Sequence, residues 1–360
     1  MKIALYSPYI HILGGGEKYL LTIAEVLSYD HHVEVILPGT KEEIENERAR
    51  IHRRFADLDL HKVHMINGPF SSRHTWRERS SFTKNYDVFF YVTDGSFFWS
   101  RAAKNCVIIQ SPDTLNLTSI MDKIKLSRWK HKLCYSKYVF NWLENKWGFE
   151  AKVLPPAIDP SSFVMGEKEN IVISVSRFSK NPHDKKQLKM IRAFKDLVDD
   201  NKLPGWKYIM MGGLSDHKDE HEYYHQITTE AKGYPIEVIA NSSFDTLLEN
   251  YAKAKIFWHA TGFEDDLKEH PEKAEHFGIT TVEAMASGAV PVVVNAGGQP
   301  EIVWDGHDGY LWDSIDELKS KTIQLAYDEP RRDKMAISAR KKSFNFDKKT
   351  FRKKLYEMIF

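Results

Sequence analysis

The chain has 360 residues, of which 42% are apolar and 28% are charged, an ordinary composition for a globular protein. Its 51 Lys and Arg residues nearly balance 50 Asp and Glu residues, so a net charge of +1 excludes a global electrostatic attraction to nucleic acid. The length predicts two domains, each large enough to have its own hydrophobic core.

Cysteine usage and hydrophobic runs bear on the cellular compartment. The two cysteines, Cys106 and Cys134, form neither a CxxC pair nor a disulfide framework, which is typical of a reducing compartment. Residues 1–8 contain an apolar run too short for a signal peptide, and no stretch approaches the roughly 20 apolar residues of a membrane span. We therefore expect a cytoplasmic protein, and attachment to a membrane surface stays open.

The first half starts with a strand at residues 3–6, followed by Gly14, Gly15 and Gly16 and an amphipathic helix from Glu17. A glycine turn at a helix N-terminus can bind an anion, because free backbone amides and the helix dipole point toward it. The spacing differs from the dinucleotide fingerprint, so a tight turn without a ligand is the other interpretation. Further strands are predicted at residues 33–37, 88–92, 107–109 and 152–154, helices at 41–55 and 137–147, and a mobile connection at 71–84.

Cations alternate with apolar residues between positions 123 and 137. The cations are Lys123, Lys125, Arg128, Lys130, Lys132 and Lys137, and the apolar residues are Ile124, Leu126, Trp129, Leu133 and Tyr135. A basic segment with aromatic residues can bind anionic lipid, so a peripheral membrane contact is one interpretation. A solvated helix face is the other.

A polar, turn-rich stretch at residues 161–170 separates the two halves. After it, the pattern predicts strands at 171–177, 208–211, 236–240, 256–263 and 309–312, and helices at 187–199, 242–254, 315–327, 330–339 and 351–360. Residues 183–187 introduce the first of these helices. We predict an N-terminal domain of residues 1–163, a C-terminal domain of residues 164–345 and a terminal helical segment of residues 346–360.

One short motif suggests a different chemistry. His221, Glu222 and His225 satisfy H-E-x-x-H, the zinc-peptidase pattern in which two histidines bind zinc and the glutamate is the base. Such a helix is usually packed in a protein core, whereas polar and charged residues surround this one. A solvated crossover helix between parallel strands is the preferred interpretation, and a zinc metallopeptidase is kept as a minor alternative.

The most informative stretch is residues 273–303, which contains two acids, Glu275 and Glu283, with a tight turn at Phe277 and Gly278 between them. We predict a short helix at 283–287 that Gly288 ends, because glycine tolerates the left-handed C-terminal position. The apolar run Val290–Val294 predicts a buried parallel strand.

A glycine loop at residues 296–301 follows the predicted strand, and Pro300 and Glu301 suit the first turn of another helix. This succession presents both acids and several backbone amides at one edge of a sheet. Glu283 also has a purely structural interpretation, because residues 280–283 fit a capping box in which the glutamate only bonds to the helix N-terminus.

Residues 273–303 resemble the signature of the family-four, or group 1, retaining glycosyltransferases. These enzymes have the α/β GT-B architecture, in which two Rossmann-like domains with parallel sheets face a cleft. The resemblance implies that Glu275 and the amides of Phe277 and Gly278 bind the donor sugar and that Glu283 binds the ribose hydroxyls. It also implies donor contacts at Ile279 and Thr280. Ionised carboxylates suit such roles because they accept strong, directional bonds from hydroxyls.

Other positions acquire expected roles from the same resemblance. Arg177 and Lys185 would clamp the donor diphosphate, with Lys186 as the rival of Lys185. Gly15 and Gly16 would contact the diphosphate, and the backbone at Ile239 and Ala240 would contact the nucleobase. The terminal segment would cross back to the N-terminal domain.

One position departs from the family pattern. Many relatives carry a histidine where this chain has Gln110, and His11 is the alternative candidate for a histidine-assisted step. Residues 258–262, Trp-His-Ala-Thr-Gly, stand where the family more often has Pro-Ser. This segment could shape the sugar pocket.

The resemblance implies a retaining, metal-independent glycosyltransferase of polysaccharide biosynthesis. The donor would be a UDP- or GDP-sugar, and the acceptor a hydroxyl of a glycan or of a lipid-linked molecule. No cofactor is expected. A GT-B epimerase or phosphorylase, or a nucleotide-sugar-binding protein without turnover, are the alternatives.

Overall fold

In a computed structural model of the protein, the chain divides by its own contacts into two units. Unit 1 comprises Met1–Ala157 together with Lys348–Phe360, and unit 2 comprises Ile158–Asp347. The boundaries predicted from the sequence, at 163 and 345, are six and two residues away from those of the units. The structure describes residues 1–111, 115, 117, 119–148, 150–180 and 184–360, so His183, in the segment predicted to introduce a helix, lies outside the described residues.

Unit 1 is built on a seven-stranded parallel sheet in the order β3-β2-β1-β4-β5-β6-β7. The strands are Lys2–Tyr6 (β1), His32–Ile36 (β2), Val63–Ile66 (β3), Val88–Val92 (β4), Lys104–Ile109 (β5), His131–Cys134 (β6) and Lys152–Val153 (β7). The helices are Gly15–Ser28 (α1), Lys41–Arg54 (α2), Trp76–Thr83 (α3), Ile120–Leu126 (α4) and Lys137–Trp147 (α5).

The core of unit 1 explains why its strands are continuous apolar runs. All five residues of β4 are buried, as expected for a parallel strand covered on both faces. Phe89 and Phe98 pack against the fully buried Trp129, whose ring centroid lies 5.2 Å from that of Phe98. These edge contacts add to the large apolar area that each ring removes from water.

Two expectations for unit 1 are wrong. Residues 71–84 contain the helix α3, which begins at a capping box: the backbone N–H of Thr75 donates to the Glu78 carboxylate at 2.6 Å. Residues 123–137 are not one helix face, because α4 ends at Leu126 and β6 follows. Most of the apolar residues in that segment, including Trp129 and Leu133, are buried in the core.

Unit 2 is built on a six-stranded parallel sheet in the order β10-β9-β8-β11-β12-β13. The strands are Glu169–Val175 (β8), Lys207–Gly212 (β9), Ile236–Ala240 (β10), Ala254–His259 (β11), Val290–Val294 (β12) and Tyr310–Trp312 (β13). The helices are Gln187–Asp199 (α6), Lys218–Ala231 (α7), Phe244–Lys253 (α8), Ile279–Ala286 (α9), Gln299–Ile302 (α10), Ile315–Tyr327 (α11) and Glu329–Ser343 (α12).

The start of α9 corrects the sequence analysis. The helix begins at Ile279, four residues before the predicted start at Glu283, and its N-cap is Gly278 with a φ of 114°. Thr280 is therefore inside the first turn and is not a cap, so the capping-box interpretation of Glu283 is wrong. The prediction for the other end is confirmed, because Gly288 follows the helix with a left-handed φ of 74°.

The last helix, Lys348–Ile359 (α13), belongs to unit 1 although it follows unit 2 in the chain. Its Phe351 ring packs edge-on against Tyr19 of α1 at 5.6 Å. Lys348 Nζ lies 2.7 Å from the buried carboxylate of Glu25. Within the described residues, no helix combines the length and the hydropathy that crossing a membrane requires.

Candidate functional site

The carboxyl ends of the unit 2 strands bring most of the predicted site residues to one sheet edge. The strand order reverses between β8 and β11, and in open parallel α/β sheets ligands bind at such a reversal, outside the carboxyl ends. Arg177 comes two residues after β8, and His259 is the last residue of β11. The chemistry of the site is therefore concentrated where the fold favours a ligand.

Glu275 is held by two cationic or polar donors. Lys185 Nζ lies 2.9 Å from Glu275 Oε2, and His259 Nε2 lies 3.2 Å from the same oxygen. The side chain of Glu275 is 23% exposed, and that of Lys185 is 15% exposed. Burial alone would raise the pKa of Glu275, but the Lys185 charge and the His259 hydrogen bond outweigh it and hold that pKa well below its usual range.

The glycine loop after β12 packs on the backbone that carries Glu275. The Gly298 N–H donates to the carbonyl oxygen of Glu275 at 2.8 Å. A Cβ at Gly297 would lie 2.3 Å from that oxygen, and one at Gly298 would lie 2.7 Å from the Phe277 Cα. Both positions therefore require glycine, because the two backbone segments approach too closely for a side chain.

The turn before α9 is fixed from the same loop. Gly278 has a φ that L-residues rarely adopt, and a Cβ there would lie 2.5 Å from Gln299 Nε2. Gln299 is fully buried, and its Oε1 accepts a hydrogen bond from the Thr281 hydroxyl at 2.9 Å. The predicted donor contacts Phe277, Gly278, Ile279 and Thr280 thus lie on a rigid turn at the N-terminus of α9.

Glu283 lies one turn into α9 and is buried. The hydroxyl of Tyr251, on α8, donates to Glu283 Oε2 at 3.3 Å. Burial and the nearby Glu283 charge raise the pKa of Tyr251 well above its usual value, so this hydroxyl keeps its proton. Tyr251 therefore holds one oxygen of the carboxylate predicted to bind the ribose.

Arg177 and the two lysines before α6 have separate surroundings. Arg177 is exposed, and it makes no ion pair with any residue that the structure describes. Its carbonyl oxygen accepts from Gln187 Nε2 at 2.9 Å, and Tyr223 donates to Gln187 Oε1 at 3.1 Å. A buried hydrogen-bonded chain thus fixes the backbone that carries the predicted diphosphate clamp.

Lys186, the rival of Lys185, has a different partner. Its Nζ lies 2.8 Å from Asp265 and 3.6 Å from Asp184, and its side chain is only 8% exposed. The two adjacent lysines therefore have different partners in the loop between β11 and α9: Lys185 contacts Glu275, and Lys186 contacts Asp265. Only Lys185 is directed toward the predicted sugar site.

Ile239 and Ala240, the predicted base contacts, end β10 and are half-buried. The following Asn241 has a left-handed φ of 52°, and its side chain bonds to both the N–H and the carbonyl of Leu214, each at 2.9 Å. The loops after β9 and β10 are therefore fastened together. The base contacts at Ile239 and Ala240 stay predictions.

In unit 1, α1 begins at Gly15, two residues before the predicted Glu17. The Glu17 carboxylate accepts from the Gly14 N–H at 2.9 Å, so an acid of the chain itself lies at this helix N-terminus. Gln110 packs on α1, since a Cβ at Gly16 would lie 2.4 Å from Gln110 Nε2. The diphosphate contacts of Gly15 and Gly16 stay predictions.

His11 and the H-E-x-x-H residues lie on the surface. His11 is exposed in a short turn before α1. His221, Glu222 and His225 are all exposed on α7, where Glu222 pairs with Lys218 at 3.5 Å. No three His, Cys, Asp or Glu side chains come together as a metal site in the described part of the chain. The solvated-helix interpretation of this motif is therefore favoured.

Sequence reasoning missed several residues that shape the site. His259 was noted only as part of an unusual segment, and Gln187, Tyr223, Asn241 and Tyr251 received no role. Each acts through a contact with a residue distant in the chain. His259, for example, contacts Glu275, which is 16 positions later. For His259 and Asn241 the available signal was polarity at the end of an apolar strand.

Two α/β units with parallel sheets of this order define a GT-B fold. Solved structures agree: a glycosyltransferase from Rickettsia africae has a TM-score of 0.73 at 16% identity, covering 99% of this chain and 97% of that one. Anabaena HepE in complex with UDP and glucose has a TM-score of 0.72 at 18% identity, covering 99% of this chain and 98% of that one. At these identities the likeness shows the fold.

Sequence comparison identifies the family. Residues 158–342, just over half of the chain, match the model of the glycosyl transferases group 1, and the chain belongs to this family. Over 231 residues it is 21% identical to GDP-Man:Man(3)GlcNAc(2)-PP-Dol alpha-1,2-mannosyltransferase of Dictyostelium discoideum, covering 60% of this chain and 43% of that protein. The chain spans less than half the length of the curated relatives that it matches.

Proposed function

We propose that the protein is a retaining glycosyltransferase that transfers a sugar from a nucleoside-diphosphate sugar to a hydroxyl of a glycan or lipid-linked acceptor. The observation that carries this proposal is the Glu275 carboxylate, ionised and held by Lys185 at the reversal of the unit 2 sheet. An ionised carboxylate beside a cation suits a ligand with both hydroxyls and phosphates.

The donor class rests on relatives. The Dictyostelium relative is named for GDP-Man, and the Anabaena structure contains UDP and glucose. A UDP- or GDP-sugar is accordingly the proposed donor of this protein. Half-buried backbone at Ile239 and Ala240 is the proposed base contact, and Glu283 the proposed ribose contact.

The proposed reaction breaks the bond between the sugar C1 and the diphosphate oxygen. Negative charge develops on the leaving diphosphate, and fixed cations lower the barrier because they stabilise that charge. Arg177 supplies one cation, since it makes no ion pair with described residues. Lys185 supplies the other: an ammonium has three N–H donors, so it can bond Glu275 and still donate to phosphate.

The acceptor hydroxyl then bonds to C1 on the face that the diphosphate leaves, which retains the anomeric configuration. Its proton passes to an oxygen of the departing phosphate, and no protein base is required. Arg177 and Lys185 supply positive charge at the leaving group, so the proposal needs no bound metal.

The test measures release of nucleoside diphosphate from UDP- and GDP-linked sugars in the presence of a chelator. Each donor is assayed with and without an extract of lipids and oligosaccharides as the source of acceptor. Release that rises with the extract supports a metal-independent transferase. Release that requires orthophosphate indicates a phosphorylase, and conversion of the donor without nucleotide release indicates an epimerase. Donor binding without any of these changes indicates a binding protein.

A membrane contact is a second proposal, supported by the surface of α4. Ile120, Met121 and Ile124 are 78%, 58% and 43% exposed, and Lys123 and Lys125 are on the same short helix. Apolar side chains beside cations suit an anionic lipid surface. Sedimentation with phosphatidylglycerol vesicles tests this: binding should exceed that to phosphatidylcholine vesicles and weaken in Ile120→Ser/Ile124→Ser. Equal binding to both vesicles would contradict it.

A further inference from the structure

His259 contacts Glu275 and has no part in the reaction proposed above. It ends β11 at the reversal of the sheet, and its side chain is only 5% exposed. Its Nε2 lies 3.2 Å from Glu275 Oε2 and 3.3 Å from the Thr261 hydroxyl. A buried imidazole is thus directed at the carboxylate that the donor sugar would contact.

The contact determines which imidazole nitrogen carries a proton. The Glu275 carboxylate is ionised, and an ionised carboxylate only accepts hydrogen bonds. The hydrogen bond to Glu275 therefore requires an N–H at His259 Nε2. The Thr261 oxygen is within reach of the same N–H. His259 acts here as a hydrogen-bond donor and not as a base.

Both donors to Glu275 use the same oxygen. Lys185 Nζ and His259 Nε2 both lie within hydrogen-bonding distance of Oε2. Glu275 Oε1 accepts no hydrogen bond from any residue that the structure describes, although the side chain is partly exposed. Two donors on Oε2 restrict rotation of the carboxylate and leave Oε1 available to a ligand.

We propose that His259 is a positioning residue: together with Lys185 it orients Glu275, so that Oε1 is the oxygen that accepts from a hydroxyl of the donor sugar. The proposal rests on the proposed function and adds to it which atom recognises the sugar. Because His259 acts through Glu275, its substitution should weaken binding of the sugar and leave binding of the nucleoside diphosphate unchanged.

Two amide substitutions of His259 distinguish loss of the N–H donor to Glu275 from loss of the imidazole ring. The amide nitrogen of glutamine occupies a place near that of histidine Nε2, so His259→Gln keeps the donor to Glu275. The amide nitrogen of asparagine corresponds to Nδ1 and does not reach Glu275, so His259→Asn removes it. Both side chains are neutral and polar, which makes them a matched pair.

The experiment is calorimetric titration of the full chain and both variants with UDP-glucose, GDP-mannose, UDP and GDP. For the nucleotide sugar that the wild type binds, His259→Asn should raise the Kd about tenfold, as loss of a hydrogen bond to a charged group predicts, and His259→Gln should restore most of the affinity. The Kd of the matching nucleoside diphosphate should not change in either variant. Thermal unfolding of the three proteins checks that each is folded.

Several outcomes would overturn the proposal. Equal affinity of the wild type and His259→Asn for the nucleotide sugar would show that the contact with Glu275 does not contribute to binding. Equal losses of affinity in His259→Asn and His259→Gln would assign the effect to packing of the imidazole ring. A parallel loss for the nucleotide sugar and the free nucleotide would indicate a general structural role. Wild-type binding without turnover would instead contradict the proposed function alone, and no wild-type binding to either nucleotide sugar would contradict both.

Discussion

Lys185 Nζ lies 2.9 Å from Glu275 Oε2, although 90 positions separate the two residues in the chain. The contact joins the segment before α6 to the loop before α9, and it leaves the neighbouring Lys186 with Asp265. One pair therefore connects a proposed phosphate-binding cation with a proposed sugar-binding acid. The first two predictions depend on it.

Substitution of the two adjacent lysines should have different effects. Lys185→Ala should lower kcat about 100-fold, because it removes a fixed cation at the leaving diphosphate. Lys186→Ala should lower the free energy of unfolding by about 1–3 kcal/mol, since it leaves Asp265 without its cation, while kcat changes little. Steady-state kinetics and urea unfolding of both variants make the comparison. Equal activity of Lys185→Ala and the wild type would refute the assignment.

Glu275 should give the stability a distinctive acid dependence. A carboxyl whose pKa is lower in the folded than in the unfolded state stabilises the fold above the unfolded-state pKa and loses that contribution as the pH falls through the folded-state value. The pKa of Glu275 is held well below the usual 4.5. The free energy of unfolding should thus decline below about pH 4.5 more steeply in the wild type than in Glu275→Gln.

Urea unfolding at a series of pH values measures this difference. Near neutral pH, Glu275→Gln should be less stable by about 1–3 kcal/mol, because Lys185 and His259 lose a charged acceptor. The gap should close as the wild-type carboxyl becomes protonated. Parallel pH profiles for the two proteins would show that Glu275 does not titrate as the contacts require.

Two adjacent glycines in unit 2 provide a test of backbone packing. A Cβ at Gly212 would lie 1.8 Å from the carbonyl oxygen of Ser176, whereas the nearest atom to a Cβ at Gly213 is Arg177 Cγ at 3.9 Å. Gly212→Ala should lower the free energy of unfolding by about 3 kcal/mol or more, and Gly213→Ala should be nearly neutral. Thermal and urea unfolding compare them. Similar stability of both variants would contradict the close approach of β8 and β9.

Much of the fold could be predicted from apolar patterning alone. Strands such as Val88–Val92 and Val290–Val294 are buried on both faces, so their sequences are continuous apolar runs with clear ends. The helix start at Ile279 could not be predicted, because Gly278 caps the helix with an unusual backbone conformation. Thr280 and Glu283 have the spacing of a capping box, which led to the wrong predicted start.

The sequence assigns roles to Arg177, Lys185 and Glu275 because the segments that contain them resemble a family signature, and those roles stay predictions. The structure adds the contact of Lys185 with Glu275. The contact between His259 and Glu275 could not be predicted, because the fold alone brings these two residues together. The helix-face interpretation of residues 123–137 was wrong because buried Trp129 and Leu133 alternate with cations in a strand and its flanks.

Retention of configuration at C1 is the central claim of the mechanism. Proton NMR of the product formed from the donor identified by nucleotide release, with the acceptor purified from the active extract, measures it directly. The one-bond coupling between C1 and its proton, which distinguishes the anomers of both glucose and mannose, should show the same anomeric configuration in the product as in the nucleotide sugar. A product of opposite configuration would contradict same-face attack and the proposed roles of Arg177 and Lys185 in it.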